Sequence, residues 1–326
     1  VSPVEASSVK QQGYSAVMAE ELCKMAEKDD KITAITAAMP SGTGLEKFGN
    51  IFPERFFDVG IAEEHAITMA AGMAAAGLRP YVAIYSTFMQ RAYDQLLHDC
   101  ALQQLPVVIT LDRAGISGRD GRTHHGIYDL SFLNSIPDIS VCAPCCSEEL
   151  KQMLRISREN KTGPFVIRYP AKDNSDGSLT ITENISVKYG KGAVVYESEK
   201  DKNKKNVLLI SLGQITGNCI KAAEALHDMC NVMVFHGRFL KPLDEDGILD
   251  CINELKPDVI VTAEDGVKEG GFGVSIATIL QRHKISCGFD IISAPSKPVE
   301  HGSIEELYED AGMDSVGIMK VVLRLL

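Results

Sequence analysis

An acidic pair stands where a predicted strand is followed by a predicted helix. The stretch from Phe56 to Gly77 predicts a short strand, a turn and a helix whose first turn carries Glu63, Glu64 and His65. A carboxylate at such a junction lies where parallel α/β sheets usually place their binding sites. An acidic first turn also stabilises a helix N-terminus through the helix dipole, without any further function. This pattern alone therefore leaves a catalytic and a purely structural interpretation open.

Three later loops carry side chains that could form a catalytic site together with this carboxylate. Each loop follows a predicted strand, so all of them could open at one edge of a parallel sheet. Guanidinium groups suit phosphate recognition because they offer fork-shaped donors, and a histidine suits proton transfer near neutral pH. The side chains concerned are Tyr85, Phe88 and Arg91 in the first loop, Arg113, Asp120 and His124 in the second, and Arg168 and Lys172 in the third.

Several of these side chains also have a simpler structural interpretation. Phe88 alone is typical of a core residue, and Arg91 on a helix is typical of a surface residue whose charged end reaches solvent. His124 and His125 are adjacent, and adjacent residues rarely converge on one ion, so no metal site is predicted. The second loop favours unusual backbone angles, as active-site loops often do, because it contains glycines at positions 115, 118, 121 and 126.

The elements that would position these loops alternate between buried strands and helices. In the first part of the chain, strands are predicted at 32–36, 56–59, 81–85, 107–111, 139–142 and 165–167, and helices at 14–28, 46–50, 87–103 and 147–160. A second series has strands at 207–212, 231–235, 259–262 and 289–292, and helices at 215–229, 246–255, 273–283, 303–310 and 315–325. This alternation predicts two doubly wound α/β domains with mainly parallel sheets, at 1–185 and 190–326. The polar segment from 171 to 205 is predicted to link them with a hairpin.

Composition excludes several classes of function. The net charge is −11 and no basic block occurs, which argues against nucleic acid as a partner. No apolar run approaches the ~20 residues that span a membrane. The nine cysteines form no regular framework, which favours reduced thiols in a cytosol-like compartment. The cluster of Cys142, Cys145 and Cys146 has no second ligand pair, so it predicts a strand end leading into a helix.

Several longer motifs resemble one enzyme family. The segments FPERFFDVGIAEEH, YVAIYSTFMQRAYDQLLHD and LPVVITLDRAGISGRDGRTHHGIYDLSFL carry the resemblance, with support from IRYP, FLKPLD and VTAEDGVKEGGFG. They are similar to the C-terminal half of the 1-deoxy-D-xylulose-5-phosphate synthases, thiamine-diphosphate enzymes related to transketolase. The resemblance extends over almost the whole chain. It implies a transketolase-like pyrimidine-binding domain followed by a transketolase C-terminal domain.

The resemblance also implies a reaction and its setting. The family decarboxylates pyruvate and joins the two-carbon unit to glyceraldehyde 3-phosphate, in a route to isoprenoids, thiamine and pyridoxal. It implies a homodimer in a bacterial cytoplasm or, as an alternative, in a plastid. The family's Gly-Asp-Gly motif with its downstream asparagine, which holds Mg²⁺ and the cofactor diphosphate, does not occur in this sequence. We therefore expect the diphosphate-binding domain on a missing N-terminal part or on a separate subunit, and no turnover by this chain alone.

The resemblance assigns roles to individual positions. It implies that the carboxyl group of Glu63 hydrogen-bonds the pyrimidine nitrogen of the cofactor, which assists formation of the reactive ylid, and that Phe88 stacks on the pyrimidine beside Ile61. His124 is a candidate for proton transfer or for stabilising a developing alkoxide. The acceptor substrate would be bound by Tyr85, Arg91, Arg113, Asp120 and Lys172.

One position departs from the family pattern, and three other functions stay open. The family's second arginine after Arg-Tyr-Pro is replaced by Ala171, followed by Lys172, which supplies charge without a bidentate fork. A split transketolase subunit is one alternative, although His125-Gly126-Ile127 stands where transketolases usually have Gln-Pro-x-Glu. The others are a 2-oxoacid dehydrogenase beta subunit and a non-catalytic scaffold that kept the fold.

Overall fold

The protein was analysed as a computed structural model that describes residues 13–118, 120–171 and 186–326. Twelve strands occur in these residues. In chain order they are β1 Ile32–Thr36, β2 Phe56–Asp58, β3 Arg79–Tyr85, β4 Val108–Asp112, β5 Ser140–Cys142, β6 Phe165–Arg168, β7 Ala193–Glu197, β8 Lys205–Ser211, β9 Cys230–His236, β10 Phe239–Lys241, β11 Val259–Val267 and β12 Gly288–Ala294.

These strands form two sheets. The first has seven strands in the order β10-β5-β6-β4-β3-β1-β2, and the second has five in the order β12-β11-β8-β9-β7. Neighbouring strands are parallel except for β10 beside β5 and β7 beside β9. The fold class predicted from the alternation of strands and helices is therefore confirmed.

Helices cover both sheets. They are α1 Tyr14–Ala26, α2 Glu46–Ile51, α3 Glu63–Ala75, α4 Ser86–Met89, α5 Tyr93–Gln95, α6 Asp129–Ser135, α7 Ser147–Glu159, α8 Thr216–Leu226, α9 Glu245–Leu255, α10 Phe272–Arg282, α11 Ile304–Asp310 and α12 Ser315–Leu325. In the described part of the chain, no helix combines the length and the apolar character that crossing a membrane would need.

The central strands of the first sheet are apolar on both faces, so helices must cover both faces. Every residue of β4 is buried, as an unbroken run of β-branched and aliphatic residues predicts for a parallel strand. Helix α3 packs on the sheet through Ala66, Ile67 and Ala70, all fully buried, and these small side chains allow a close approach of the helix to the strands. The same hydrophobic cluster includes Leu208 and Phe272 of the second unit, so one core extends across both sheets.

Two features of the helices differ from the predicted elements. The helix expected at 87–103 is a succession of α4, a 3₁₀ turn, α5 and a π-helical segment at Leu96–Ala101. In the π-helical segment, Leu96 is buried and the Asp99 carboxylate accepts a hydrogen bond from Thr68 Oγ1 at 2.6 Å. Helix α6 was not predicted, because its seven residues are too few for a clear period.

The link between the two units, for which a hairpin is predicted at 171–205, is described only in part, because residues 172–185 lie outside the described residues. In the described part of this segment, β7 pairs antiparallel with β9 of the second sheet. Strand β10, which follows β9 in the second unit, pairs antiparallel with β5 of the first sheet. The first sheet therefore contains one strand that comes from the second unit. The domain boundary placed at 185–190 stays a prediction.

Candidate active site

The loops that follow β2, β3 and β4 all open at one edge of the first sheet. Strands β1 to β4 and β6 are parallel, so their C-terminal ends meet there. Tyr85, the last residue of β3, pairs in register with Asp112, the last residue of β4. Helix α3 begins with Glu63 after β2, and α4 begins immediately after Tyr85. The topology therefore collects the three predicted loops, as the sequence indicates.

Glu63 is buried and held by Arg91. The Glu63 side chain is only 3% exposed, whereas that of Arg91 is 52% exposed. Arg91 Nη1 donates to both carboxylate oxygens, at 3.0 Å to Oε1 and 3.2 Å to Oε2. The guanidinium carbon also lies 5.3 Å from the ring centroid of Phe88, which is half-buried. Arg91, for which the sequence left a substrate-binding and a simple surface role open, therefore links the buried carboxylate to an aromatic face.

Tyr85 lies between Phe88 and Arg113. The Tyr85 and Phe88 rings are stacked with centroids 5.9 Å apart, and the guanidinium carbon of Arg113 lies 4.1 Å above the Tyr85 ring. Burial raises the pKa of the Tyr85 hydroxyl, and the charge of Arg113 opposes that rise. The hydroxyl packs so closely on Gly42 that a Cβ at position 42 would collide with it. The loop that contains Gly42 thus packs directly on the Tyr85 hydroxyl.

Arg113 forms an ion pair with Asp120 across the second loop. Arg113 has a φ of 57°, a left-handed conformation that few side chains other than glycine adopt, and this turn directs the loop away from β4. The loop closes on itself through paired backbone hydrogen bonds between Gly115 and Gly126, at 2.9 and 2.8 Å. His124 packs edge-on against Phe88, with centroids 5.4 Å apart, so the end of this loop returns to the site.

These contacts connect most of the predicted site residues. An unbroken series of side-chain contacts runs from Glu63 through Arg91, Phe88 and Tyr85 to Arg113. Asp120 contacts Arg113 at the end of the series, and His124 contacts Phe88 in its middle. Ile61 precedes α3 and is 81% exposed, so its side chain contributes apolar surface at this edge. Lys172 lies outside the described residues.

Arg168 does not point to the open edge, in contrast to its grouping with the site loops in the sequence. Its side chain is 1% exposed and donates from Nε to Asp129 Oδ2 at 2.8 Å and from Nη1 to Asp265 Oδ1 at 2.6 Å. Ser86 Oγ donates to the same Asp129 oxygen at 3.0 Å. Because Asp265 belongs to β11, Arg168 bridges the two units as a buried ion pair.

Two buried residues adjacent to predicted site residues, Asp112 and His125, are given no role by the sequence. Asp112 is fully buried, and burial raises the pKa of its carboxyl to about 7, against the lowering effect of a hydrogen bond from Ser15. Ser15 Oγ donates to Asp112 Oδ2 at 2.6 Å. His125 is also buried and hydrogen-bonded at both ring nitrogens. Only their positions beside Arg113 and His124 could have suggested a role.

A second buried cluster lies away from this edge. In the described ranges, ligand atoms of Cys145, Glu149 and His236 converge within 4.8 Å of one another. Glu149 accepts from His236 Nε2 at 3.1 Å and from Arg238 Nε at 2.7 Å. Burial opposes ionisation of Glu149, but His236 and Arg238 outweigh it and bring the pKa to about 2. Both carboxylate oxygens are thus already engaged, and the cluster joins α7 to the second sheet.

Comparisons with known proteins agree with this architecture. The family model described as "Transketolase, pyrimidine binding domain" matches residues 10–175, and "Transketolase, C-terminal domain" matches residues 197–318. The chain belongs to the transketolase family, with its pyrimidine-binding and C-terminal domains in that order. A solved structure titled "Split gene transketolase, inactive beta4 tetramer" has a TM-score of 0.82 and 24% identity, covers 97% of this chain and 98% of its own, and supports the fold.

The curated relatives point to one branch of that family. A protein of Caldanaerobacter subterraneus subsp. tengcongensis named "1-deoxy-D-xylulose-5-phosphate synthase" is 46% identical over 95% of this chain and 48% of its own length. Proteins of the same name from Clostridium perfringens strain 13 and Vibrio vulnificus are 42% and 40% identical, each over 98% of this chain. The chain spans about half the length of these relatives.

Proposed function

We propose that this chain is the pyrimidine-binding and C-terminal part of a 1-deoxy-D-xylulose-5-phosphate synthase. In this role it takes part in decarboxylating pyruvate and joining the two-carbon unit to glyceraldehyde 3-phosphate. The observation that carries the proposal is the continuous contact series from Glu63 to Asp120, with His124 against Phe88. Identities of 40–46% to relatives with that name support it, over at least 95% of the chain.

The residues present fit the pyrimidine end of thiamine diphosphate. A buried carboxylate linked to a half-buried aromatic face suits a flat, hydrogen-bonding heterocycle, and the exposed side chain of Ile61 adds an apolar contact. When bound, this cofactor supplies the carbanion stabilisation that allows a 2-oxoacid to lose carbon dioxide. In the proposed mechanism Glu63 holds a proton against the heterocycle nitrogen, and Phe88 orients the ring. Mg²⁺ and the diphosphate would be held by a separate diphosphate-binding domain or subunit.

The other side of the site suits a phosphorylated aldehyde. Arg113 offers a guanidinium fork to a phosphate, and its ion pair with Asp120 and its position over Tyr85 orient that fork before the substrate arrives. His124 contacts Phe88 and belongs to the same loop as Arg113, so we assign it the donation of a proton to the oxygen of the acceptor aldehyde as the new carbon–carbon bond forms. Arg91 can share its charge between Glu63 and a substrate carboxylate. Lys172 would add charge in place of the family's arginine.

We place the protein in the bacterial cytoplasm as part of a homodimer that feeds isoprenoid, thiamine and pyridoxal synthesis. The exposed face of α3 supports an assembly in which another subunit approaches closely, because Thr68, Gly72 and Ala75 leave little side chain on that face. The intact mass of the protein from its source cells, together with any copurifying chain, tests whether the diphosphate-binding part lies on the same polypeptide.

Substrate choice tests the proposed activity. The catalytically complete enzyme, meaning this chain together with its diphosphate-binding domain or subunit, is given pyruvate and glyceraldehyde 3-phosphate. We expect carbon dioxide and 1-deoxy-D-xylulose 5-phosphate to appear in equal amounts. Turnover of ketose-phosphate donors without turnover of pyruvate would instead identify a split transketolase. If the complete protein turns over neither type of donor, the scaffold interpretation replaces the proposal.

A further inference from the structure

The second unit packs directly on the loop that carries Arg113, Asp120 and His124. We call residues 113–118 and 120–128 the acceptor loop, and residues 300–303, between β12 and α11, the brace. Ile116 and Ile127 of the acceptor loop lie in the hydrophobic cluster of the second sheet. The backbone N–H of Val267 in β11 donates to the Ile127 carbonyl at 2.8 Å. The proposed substrate loop is therefore built against the C-terminal unit as well as the first sheet.

His125 makes the buried polar connection between the acceptor loop and the brace. It is 3% exposed, and the Ser117 backbone N–H donates to its Nδ1 at 3.1 Å. Its Nε2 lies 3.1 Å from the carbonyl oxygen of Glu300. An N–H can only donate and a carbonyl can only accept, so the neutral ring with its proton on Nε2 satisfies both partners. One side chain thus joins two points of the loop to the second unit.

The glycines of the acceptor loop fit closely under the brace. Gly118 and Gly121 have φ values of +82° and +73°. A Cβ on Gly118 would lie 3.2 Å from the Gly302 carbonyl oxygen, and one on Gly121 would lie 3.4 Å from Cβ of His301. Loop and brace therefore meet at nearly backbone distance, which leaves little freedom for the loop to shift on its own.

A second, exposed connection runs parallel to the His125 bond. Arg122 Nε donates to Glu300 Oε2 at 2.9 Å, and both side chains are 61% exposed. Exposed ion pairs of this kind contribute little, because solvent screens them and two long side chains must be ordered. The buried bond from His125 is consequently the stronger determinant of where the loop lies relative to the brace.

We propose that His125 is a positioning residue through which the C-terminal unit sets the affinity of the site for its phosphorylated acceptor. It adjoins His124 in the chain, and it belongs to the same closed loop as Arg113 and Asp120. The residues assigned to the cofactor, Glu63 and Phe88, lie on α3 and α4, outside the acceptor loop, although Phe88 contacts the loop through His124. This inference rests on the proposed function, and it predicts a defect confined mainly to the acceptor.

Two substitutions separate the two hydrogen bonds of His125. A glutamine amide reaches the position of Nε2 and can still donate to the Glu300 carbonyl, whereas an asparagine amide reaches only the position of Nδ1. In the complete enzyme, His125→Asn should raise KM for glyceraldehyde 3-phosphate about tenfold, since a misplaced loop loses preorganised contacts. The KM for pyruvate should change by less than about twofold, and His125→Gln should recover most of the acceptor affinity.

The outcomes distinguish the inference from its alternatives. His227→Asn, an exposed histidine of the second unit, is the matched control and should behave as wild type. An equal KM for glyceraldehyde 3-phosphate in wild type and His125→Asn would overturn the inference. So would a lower kcat together with higher KM values for both substrates in the asparagine and glutamine variants alike. Thermal unfolding of each variant identifies a loss that comes only from poor folding. A wild-type enzyme without synthase activity would remove the proposed function itself, whereas an active wild type with an unaffected His125→Asn removes only the inference.

Discussion

One nitrogen of Arg91 serves both carboxylate oxygens of Glu63, at 3.0 and 3.2 Å. The carboxylate is buried and the guanidinium is half-exposed, so the positive charge lies over the mouth of the site. A heterocycle nitrogen that binds Glu63 must share or displace this partner. The same arginine lies against Phe88, the other residue assigned to the cofactor. If Glu63 and Phe88 bind the cofactor as proposed, its binding is coupled through Arg91 to the charge available to the substrate.

Replacement of Glu63 by glutamine should abolish most of the activity. The amide has nearly the same shape, but it cannot exchange a proton with the cofactor, so we expect turnover of the complete enzyme to fall at least about 100-fold. Thermal stability should change little, because Arg91 is half-exposed and stays solvated without its partner. Glu64→Gln, at the exposed neighbouring position, is the control and should remain active. If both variants are fully active in initial-rate measurements, Glu63 has no catalytic role.

Replacement of Arg113 by lysine should weaken binding of the phosphorylated acceptor. Lysine keeps the charge but loses both the fork and the flat contact with Tyr85, so KM for glyceraldehyde 3-phosphate should rise about tenfold. Unphosphorylated glyceraldehyde provides the specific comparison, because wild type and variant should use it equally well. Arg282→Lys on the surface of α10 controls for the general effect of the substitution. A similar penalty with both aldehydes would show that Arg113 does not read the phosphate.

Asp112 should make the fold less stable as pH rises. Its pKa is about 7 in the folded chain because of burial, against ~3.9 for an unfolded aspartate. Between these values the native state holds a proton that the unfolded state has released, so each step up in pH favours unfolding until the native carboxyl ionises. Asp112→Asn cannot ionise and can still accept from Ser15. The free energy of unfolding of Asp112→Asn minus that of wild type should therefore be about 2 kcal/mol larger at pH 8 than at pH 5.

Urea unfolding at a series of pH values measures this difference. Asp310→Asn, on the surface of α11, is the control and should leave the pH dependence unchanged. Stability curves that run parallel for wild type and Asp112→Asn would mean that Asp112 has the same protonation in the folded and unfolded states.

Removal of Arg168 should destabilise the whole molecule. Arg168→Met keeps the volume but leaves Asp129 and Asp265 buried without their cation, a change that typically costs about 3–5 kcal/mol. Lys47→Met breaks an exposed pair with Glu20 and should cost about 1 kcal/mol or less. Chemical unfolding of the two variants gives the comparison. A loss for Arg168→Met no larger than that of the control would contradict a stabilising bridge between the two units.

Local pattern was enough for much of this molecule. The alternation of buried strands and helices predicts the two sheets, and the predicted strands at 32–36 and 139–142 lie within a residue of the observed β1 and β5. Residue types and spacing place the motif around Glu63 and the loop with Arg113, Asp120 and His124 at one edge of the sheet, and the family resemblance assigns their roles. The strand predictions succeed because strand burial is a property of neighbouring residues.

Other features depended on contacts between distant parts of the chain. Arg168 resembles a phosphate ligand in sequence, and only the presence of Asp129 and Asp265 around it makes it a buried bridge. The pairing of β10 with the first sheet likewise needs an edge at β5 that no local pattern reveals.

By itself, then, the sequence determined the fold class, the family and the residue types of the site, because periodicity and motifs are written in short stretches. The tertiary structure decided which of those charges face solvent and which are buried, since that depends on the partner that folding brings within a few ångströms. It also decided that His125, adjacent to a predicted catalytic histidine, reaches the second unit at Glu300. Separations of more than a hundred residues along the chain carry no such information until the two sheets pack.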